Sequence, residues 1–127
     1  MEIRVVNAPD APKASGGYAQ ACEAAGASRL LFVSGQVPLT VDQELPGTFR
    51  EQCRLAWANV EAQLRAAGMG LTNLVKVTTF LSDRRFAAEN RAVREEVLGA
   101  HAPALTVVVA GIFDEAWLVE IEAVAAA

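Results

Sequence analysis

Histidine occurs once in this chain, at position 101, and cysteine twice, at positions 22 and 53. A protein metal centre is usually assembled from three or four such ligands, often at short repeated spacings. One imidazole and two widely separated thiols provide no such set, so no metal is expected. The same scarcity removes most routes to a local nucleophile. Ser34, in "FVSGQVP", follows a strand-like run but lacks the second glycine of an esterase elbow. His101, in "GAHAP", reads as an exposed or helix-terminal imidazole, not a general base. Lysine is also rare, two residues against nine arginines, and the one glycine pair, "SGGY", has neither the spacing nor the lysine of a phosphate loop. A formal charge of -4 and a pI near 5.0 leave out the basic field that tracks a phosphate backbone, so nucleic acid is not an expected partner. No apolar run is long enough to span a bilayer, and a membrane is not expected either. The opening "MEIRVVNAPD" lacks a basic segment followed by an apolar run, which makes the cytoplasm the expected compartment and buried free thiols the expected state of both cysteines.

What the chain does have is apolar residues in regular patterns. With 127 residues, 53% of them hydrophobic and 20% charged, one domain spanning 1–127 with a real core is expected. The segment "GTFREQCRLAWANVEAQLRAAGMG" has helix signals at both ends: Thr48 with Glu51 three residues later as a capping box, and Gly68 as an exit. Between them Phe49, Cys53, Ala56, Trp57, Val60, Leu64 and Ala67 recur at helical spacing and form one stripe. A second helix is marked by Asp83 as cap, Phe86, Asn90, Val93 and Val97 as inner row, and Gly99 as stop. Asn90 is the polar member of that row, which fits a satisfied buried amide or a ligand contact. Charges such as Glu61 and Arg65, or Arg91 and Glu95, sit at the spacing of neighbours on a solvated helix face.

Six short β-branched or alternating runs read as strands: "EIRVV", then "YAQACEA" and "RLLFVSG" as a hairpin pair, then "LVKVTTFLS", "ALTVVVAGI" and "LVEIEAVAA". The order β-β-β-α-β-α-β-β predicts an α+β two-layer sandwich, a mixed six-stranded sheet with two helices on one face. The uncovered face of such a sheet should be polar in a monomer. Instead the run from Leu105 to Ile112 is apolar on both sides, with Leu105, Val107 and Val109 on one face and Val108, Ala110 and Ile112 on the other. Leaving that surface in water disfavours a monomer, so a closed homo-oligomer with clefts between subunits is expected. Polar residues near strand ends remain as candidates for a site: Tyr18, Ser34, Gln36, Asn90, Glu120 and Glu122. On the last strand Glu120 and Glu122 alternate with Val119, Ile121 and Ala123, which places both acids on one face, either simply solvated or lining a cleft where an acid could position a water.

Seven segments, "GGYAQA", "FVSGQVPL", "EQCRLAWANVEAQLRAAG", "LVKVTTFLSD", "FAAEN", "PALTVVVAG" and "LVEIEAVA", resemble the YjgF/RidA family in order and spacing over nearly the whole chain. The resemblance implies a chorismate-mutase-like α+β fold and a homotrimer with three intersubunit clefts that bind a small molecule. It also implies cofactor-free deamination of reactive enamines and imines to 2-keto acids and ammonia. Carried over by residue, Glu120 is the acid that places the hydrolytic water, and Tyr18, Ser34, Gly35 and Asn90 line the cleft, with Leu105 and Val107 on its strand wall. The family's carboxylate-gripping arginine after "PA" is absent, because this chain has Leu105 there. An isobutyl group cannot supply a fork of charged donors, so the usual substrate should bind badly and a less anionic or more apolar ligand is expected. Gly17 replaces a proline common before the tyrosine. Arg91 and Arg94 are the cations that could reach the cleft, from a neighbouring subunit, in place of the missing one. An altered hydrolase and a non-catalytic ligand-binding or protein-regulating module both fit these residues; an endoribonuclease fits them less well.

Overall fold

The computed structural model describes residues 1–127. Its strands are β1 (Glu2–Val6), β2 (Ala21–Ala25), β3 (Leu30–Gln36), β4 (Leu74–Leu81), β5 (Ala104–Val109) and β6 (Val119–Ala126), and its helices are α1 (Phe49–Ala66) and α2 (Ala87–Leu98). The element order matches the sequence reading, with short 3-10 turns added before β4 and α2. The architecture is the expected α+β arrangement of two helices on a mixed sheet, in which β4 and β5 run parallel and the other ladders are antiparallel.

The strands do not form one continuous sheet. β3-β6-β4-β5 make a four-stranded ladder and β1-β2 a separate pair. The two are joined by a single bridge, Ala19 beside Ala104, with the Ala19 amide donating to the Pro103 carbonyl at 3.0 Å. The expected hairpin between "YAQACEA" and "RLLFVSG" is therefore absent. β2 pairs with β1 instead, and β3 pairs with β6, with Val33 opposite Ala123 and Phe32 opposite Val124. The chain end ties this choice, since the backbones of Arg29 and Ala127 exchange hydrogen bonds in both directions at 3.0 Å.

α1 forms where its caps and stripe required. Thr48 Oγ1 accepts from the Glu51 amide at 3.2 Å, and Phe49, Cys53, Ala56, Trp57, Val60 and Leu64 are all buried against the sheet. Asp83 acts differently from expectation. Its carboxylate accepts from the Arg85 amide and so caps the 3-10 turn Arg84–Phe86, while α2 itself starts after Phe86 without a side-chain cap. The core lies between the helices and one sheet face, with Val77 and Leu81 of β4 and Val119, Ile121 and Ala123 of β6 meeting Trp57, Val60, Leu64 and Val93. Gln52, buried on α1, fastens two connections to this layer. Its Nε2 donates to the carbonyls of Pro46 and Ala116, and its Oε1 accepts from the Leu118 amide at 2.9 Å.

Candidate functional site

Ladder register decides which face each candidate occupies. Val77, Thr79 and Leu81 of β4 are buried beneath the helices, and their partners on β5 are Leu105, Val107 and Val109. Those three residues therefore lie on the helix-bearing face. Leu105 is half-buried and packs against the core, while Val107 and Val109 extend beyond its cover and are 42% and 45% exposed. Glu120 is opposite Phe80 and Glu122 opposite Thr78, which places both acids on the open face. Val108 is also on that face and is 36% exposed, so the outer half of β5 is apolar and uncovered on both sides. β5 ends at Val109, leaving Ala110 and Ile112 in the following connection.

Seven candidate residues thus separate into two groups. The first is Tyr18, Asn90, Leu105 and Val107, around α2 and the β5 edge. Pairing of Ala19 with Ala104 puts Tyr18 and Leu105 on the same face by alternation. Asn90 is buried, with its Oδ1 3.8 Å from the Sγ of Cys53, so it is a core amide as much as a wall residue. The second group is Ser34, Gly35 and Glu120, at the β3 edge. β3 carries a bulge between Val33 and Gln36, with Ser34 and Gly35 in it, that interrupts its pairing with β6. A Cβ on Gly35 would lie 2.7 Å from Glu120 Oε1 and 2.8 Å from its Cδ, so the carboxylate rests over the bulge only because position 35 has no side chain. A groove of about 500 Å³ opens beside Gly35, bounded by Gln36, Leu39, Asn59 and Trp117. Asn59 holds its rim by donating to the carbonyls of Val37 and Leu39.

Glu120 and Leu105 stand two strands apart, roughly 10 Å across the ladder, and on opposite faces of the sheet. No small molecule touches both within one chain. No three His, Cys, Asp or Glu side chains cluster as ligands of a metal ion would. His101 sits in the connection after α2 with Nε2 2.8 Å from the Leu74 carbonyl, which anchors β4 to that connection. Of the two free cysteines Cys53 is buried, as expected, and Cys22 only half-buried. Burial pushes the Cys53 thiol up to about 12, with Glu89 adding to the rise and Arg50, Arg54 and Arg94 opposing it.

Sequence periodicity did not disclose the surroundings of Tyr18. Its phenol is held below its ordinary value by backbone and side-chain hydrogen bonds from Ser15, against a desolvation effect and with smaller help from Arg94 and Arg91. Arg94, which lies beside the inner row of α2, is the one buried charged residue in the chain, 5% exposed. Its Nη2 donates to the Gly16 carbonyl of the same chain at 3.4 Å, two residues before Tyr18. Arg91 is exposed and paired with Glu95 at 3.1 Å.

The fold and this divided arrangement define a small α+β protein whose candidate residues fall into two groups, one around α2 and β5 and the other around β3 and β6. The family model described as "Endoribonuclease L-PSP" matches residues 8–127. A RutC family protein of Pyrococcus horikoshii is 34% identical over 123 residues, 95% of each chain. Protein mmf2, mitochondrial, of Schizosaccharomyces pombe is 42% identical over 115 residues, 87% of this chain and 88% of its own. Among solved structures, the Rid-family protein YyfB of Yersinia pestis superposes with a TM-score of 0.86 at 28% identity over 100% of both chains. TdcF of E. coli, solved with bound serine, gives 0.73 at 30% identity over 98% of both. This chain belongs to the YjgF/RidA family, also termed Endoribonuclease L-PSP.

Proposed function

We propose that the protein is a homotrimer that binds a small organic molecule in three clefts. Each cleft is walled by Tyr18, Asn90, Leu105 and Val107 of one copy and by Ser34, Gly35 and Glu120 of the next. The observation that carries this reading is the separation of the two groups onto different edges and opposite faces of one sheet. A head-to-tail contact that brings one edge against the other closes into a ring, and every interface of the ring then completes one site. The exposed apolar surface supports it: Phe32 is 73% and Phe113 95% exposed, and Leu30, Val107, Val108 and Val109 add to the same demand for a partner.

The chemistry the assembled cleft supports best is cofactor-free hydrolysis of an imine or enamine tautomer. Glu120 accepts a proton from water as the water oxygen bonds to the imine carbon, and that proton passes to the nitrogen to give a carbinolamine. The carbinolamine hydroxyl then gives up its proton, the nitrogen receives it by way of the same carboxylate, the C–N bond breaks, and a carbonyl compound and ammonia leave. Leu105 gives the β5 wall an isobutyl group where the family has a guanidinium, so that strand offers no carboxylate clamp and the wall contacts the apolar part of the ligand. TdcF bound to serine is consistent with a ligand of amino-acid size. None of the chain's helices is long and apolar enough to cross a membrane, and we place the trimer in the cytoplasm.

The test is keto-acid release from 2-iminobutanoate or 2-aminoacrylate, using wild type, Glu120→Ala and Leu105→Arg. Slow turnover that rises in Leu105→Arg and vanishes in Glu120→Ala supports the reading. Family-like rates in wild type contradict the role given to Leu105. Ligand-dependent thermal stabilisation without turnover in any variant assigns the cleft to binding alone.

A further inference from the structure

The cleft lacks a cation on β5, yet a cation is buried close by. Arg94 is 5% exposed and has no carboxylate within ion-pair distance. Its Nε has no hydrogen-bond partner, and its single bond is a long one, 3.4 Å from Nη2 to the Gly16 carbonyl. Guanidinium carries five N–H donors and keeps its proton in proteins, and here the buried Nε–H has no acceptor. A buried, unpaired charge of this kind is destabilising unless an anion arrives to meet it. The other arginines near α2 do not share this condition: Arg91 is paired with Glu95, Arg54 with Glu96, and Arg50 with Glu89.

The backbone around Arg94 is shaped to cover it. Gly16 and Gly17 have φ of +85° and +74°, which folds the turn before Tyr18 back over α2. The φ of +85° at Gly16 is one that side-chain-bearing residues rarely adopt, and a Cβ there would also displace the Arg91 guanidinium that lies over the turn. Gly17 in place of proline thereby gains a physical reason, since proline is fixed at negative φ and could not make this turn. Tyr18 leaves the turn on the face it shares with Leu105, two residues after the Gly16 carbonyl that Arg94 Nη2 reaches.

We propose that Arg94, held against the turn that carries Tyr18, is the anion subsite of the cleft, and that the ligand is a small monocarboxylic acid whose acid group meets α2 while its apolar body lies on Leu105 and Val107. The cation has moved from the strand to the helix, and the isobutyl group occupies the position it left. This assignment rests on the cleft proposed above and narrows its ligand: apolar along the strand wall, anionic at the helix.

The experiment is a binding titration followed by backbone and methyl NMR shifts, with 2-oxobutanoate as the acid probe and 2-butanone as its counterpart without the carboxylate. Wild type, Arg94→Met, Arg94→Lys and Leu105→Arg are compared. Charge-assisted contacts predict that wild type prefers the acid by about tenfold to a hundredfold, that Arg94→Met loses the preference, and that Arg94→Lys keeps part of it. In the absence of probe, Arg94→Met should melt at or above the wild-type temperature, because it replaces an unpaired buried charge with an apolar chain of similar length. An unchanged preference for the acid in Arg94→Met overturns the subsite. Acid binding in Leu105→Arg with none in wild type also overturns it, while leaving the cleft in place. Shifts that avoid Tyr18, Leu105 and Val107 in every variant overturn the cleft itself.

Discussion

Cys53 offers a test that needs no knowledge of the ligand. It lies on the inner face of α1, fully buried, with its Sγ 3.8 Å from Oδ1 of Asn90. Burial raises its thiol from 9.0 to about 12. The folded state then holds the proton through the range in which the unfolded chain releases it. Above pH 9 the unfolded state binds fewer protons than the native state, so stability falls as pH rises; below pH 9 the contribution is fully present. One pKa unit corresponds to about 1.4 kcal/mol, and the loss between pH 8 and pH 10 is about 1 kcal/mol. Urea unfolding at both pH values and one chain concentration, for wild type and Cys53→Ala, isolates this share, because cavity costs and other titrations largely cancel in the difference. A parallel thiol assay at pH 8 should find Cys53 inert in the native protein, with thiolate about a thousandfold scarcer than for a thiol at the ordinary value. Equal alkaline losses in the two proteins, or rapid native labelling of Cys53, would refute the packing described for α1 against Asn90.

Two further perturbations probe how the site is held. Gly35→Ala should fold normally, since the position needs no positive φ, yet it must displace the Glu120 carboxylate that would lie 2.7 Å from the new methyl. If Glu120 positions water, kcat for any imine the trimer hydrolyses falls about a hundredfold with little change in melting temperature; unchanged turnover would remove Glu120 from that role. Gln52→Leu strands the carbonyls of Pro46 and Ala116 and the amide of Leu118. A loss of about 2–4 kcal/mol in urea unfolding is expected, and a neutral result would show that water replaces the amide.

Local signals made the scaffold legible. Thr48 and the stripe from Phe49 to Leu64 announced α1 because a cap and a 3.6-residue period are properties of neighbouring residues. Alternation on β6 likewise placed Glu120 and Glu122 on one face before any partner strand was known. Strand pairing was not legible in the same way. β2 and β3 are adjacent in sequence and read as a hairpin, but the alanine-rich β2 joined β1, and β3 found β6 from the far end of the chain. The split of Leu105 and Glu120 onto opposite faces required the parallel register of β4 with β5, which no local pattern encodes. The burial of Arg94 was not legible for a similar reason. Its position beside the inner row of α2 suggests a solvated arginine, and it is buried by a turn 78 residues away in sequence.

The proposed cleft requires copies of the chain to meet edge to edge, so that Leu105 and Glu120 face one ligand from different subunits. Sedimentation equilibrium of the purified protein at micromolar concentration tests this most directly. The account predicts a single species at three times the 13.5 kDa chain mass, and a stable monomer at that concentration would contradict it.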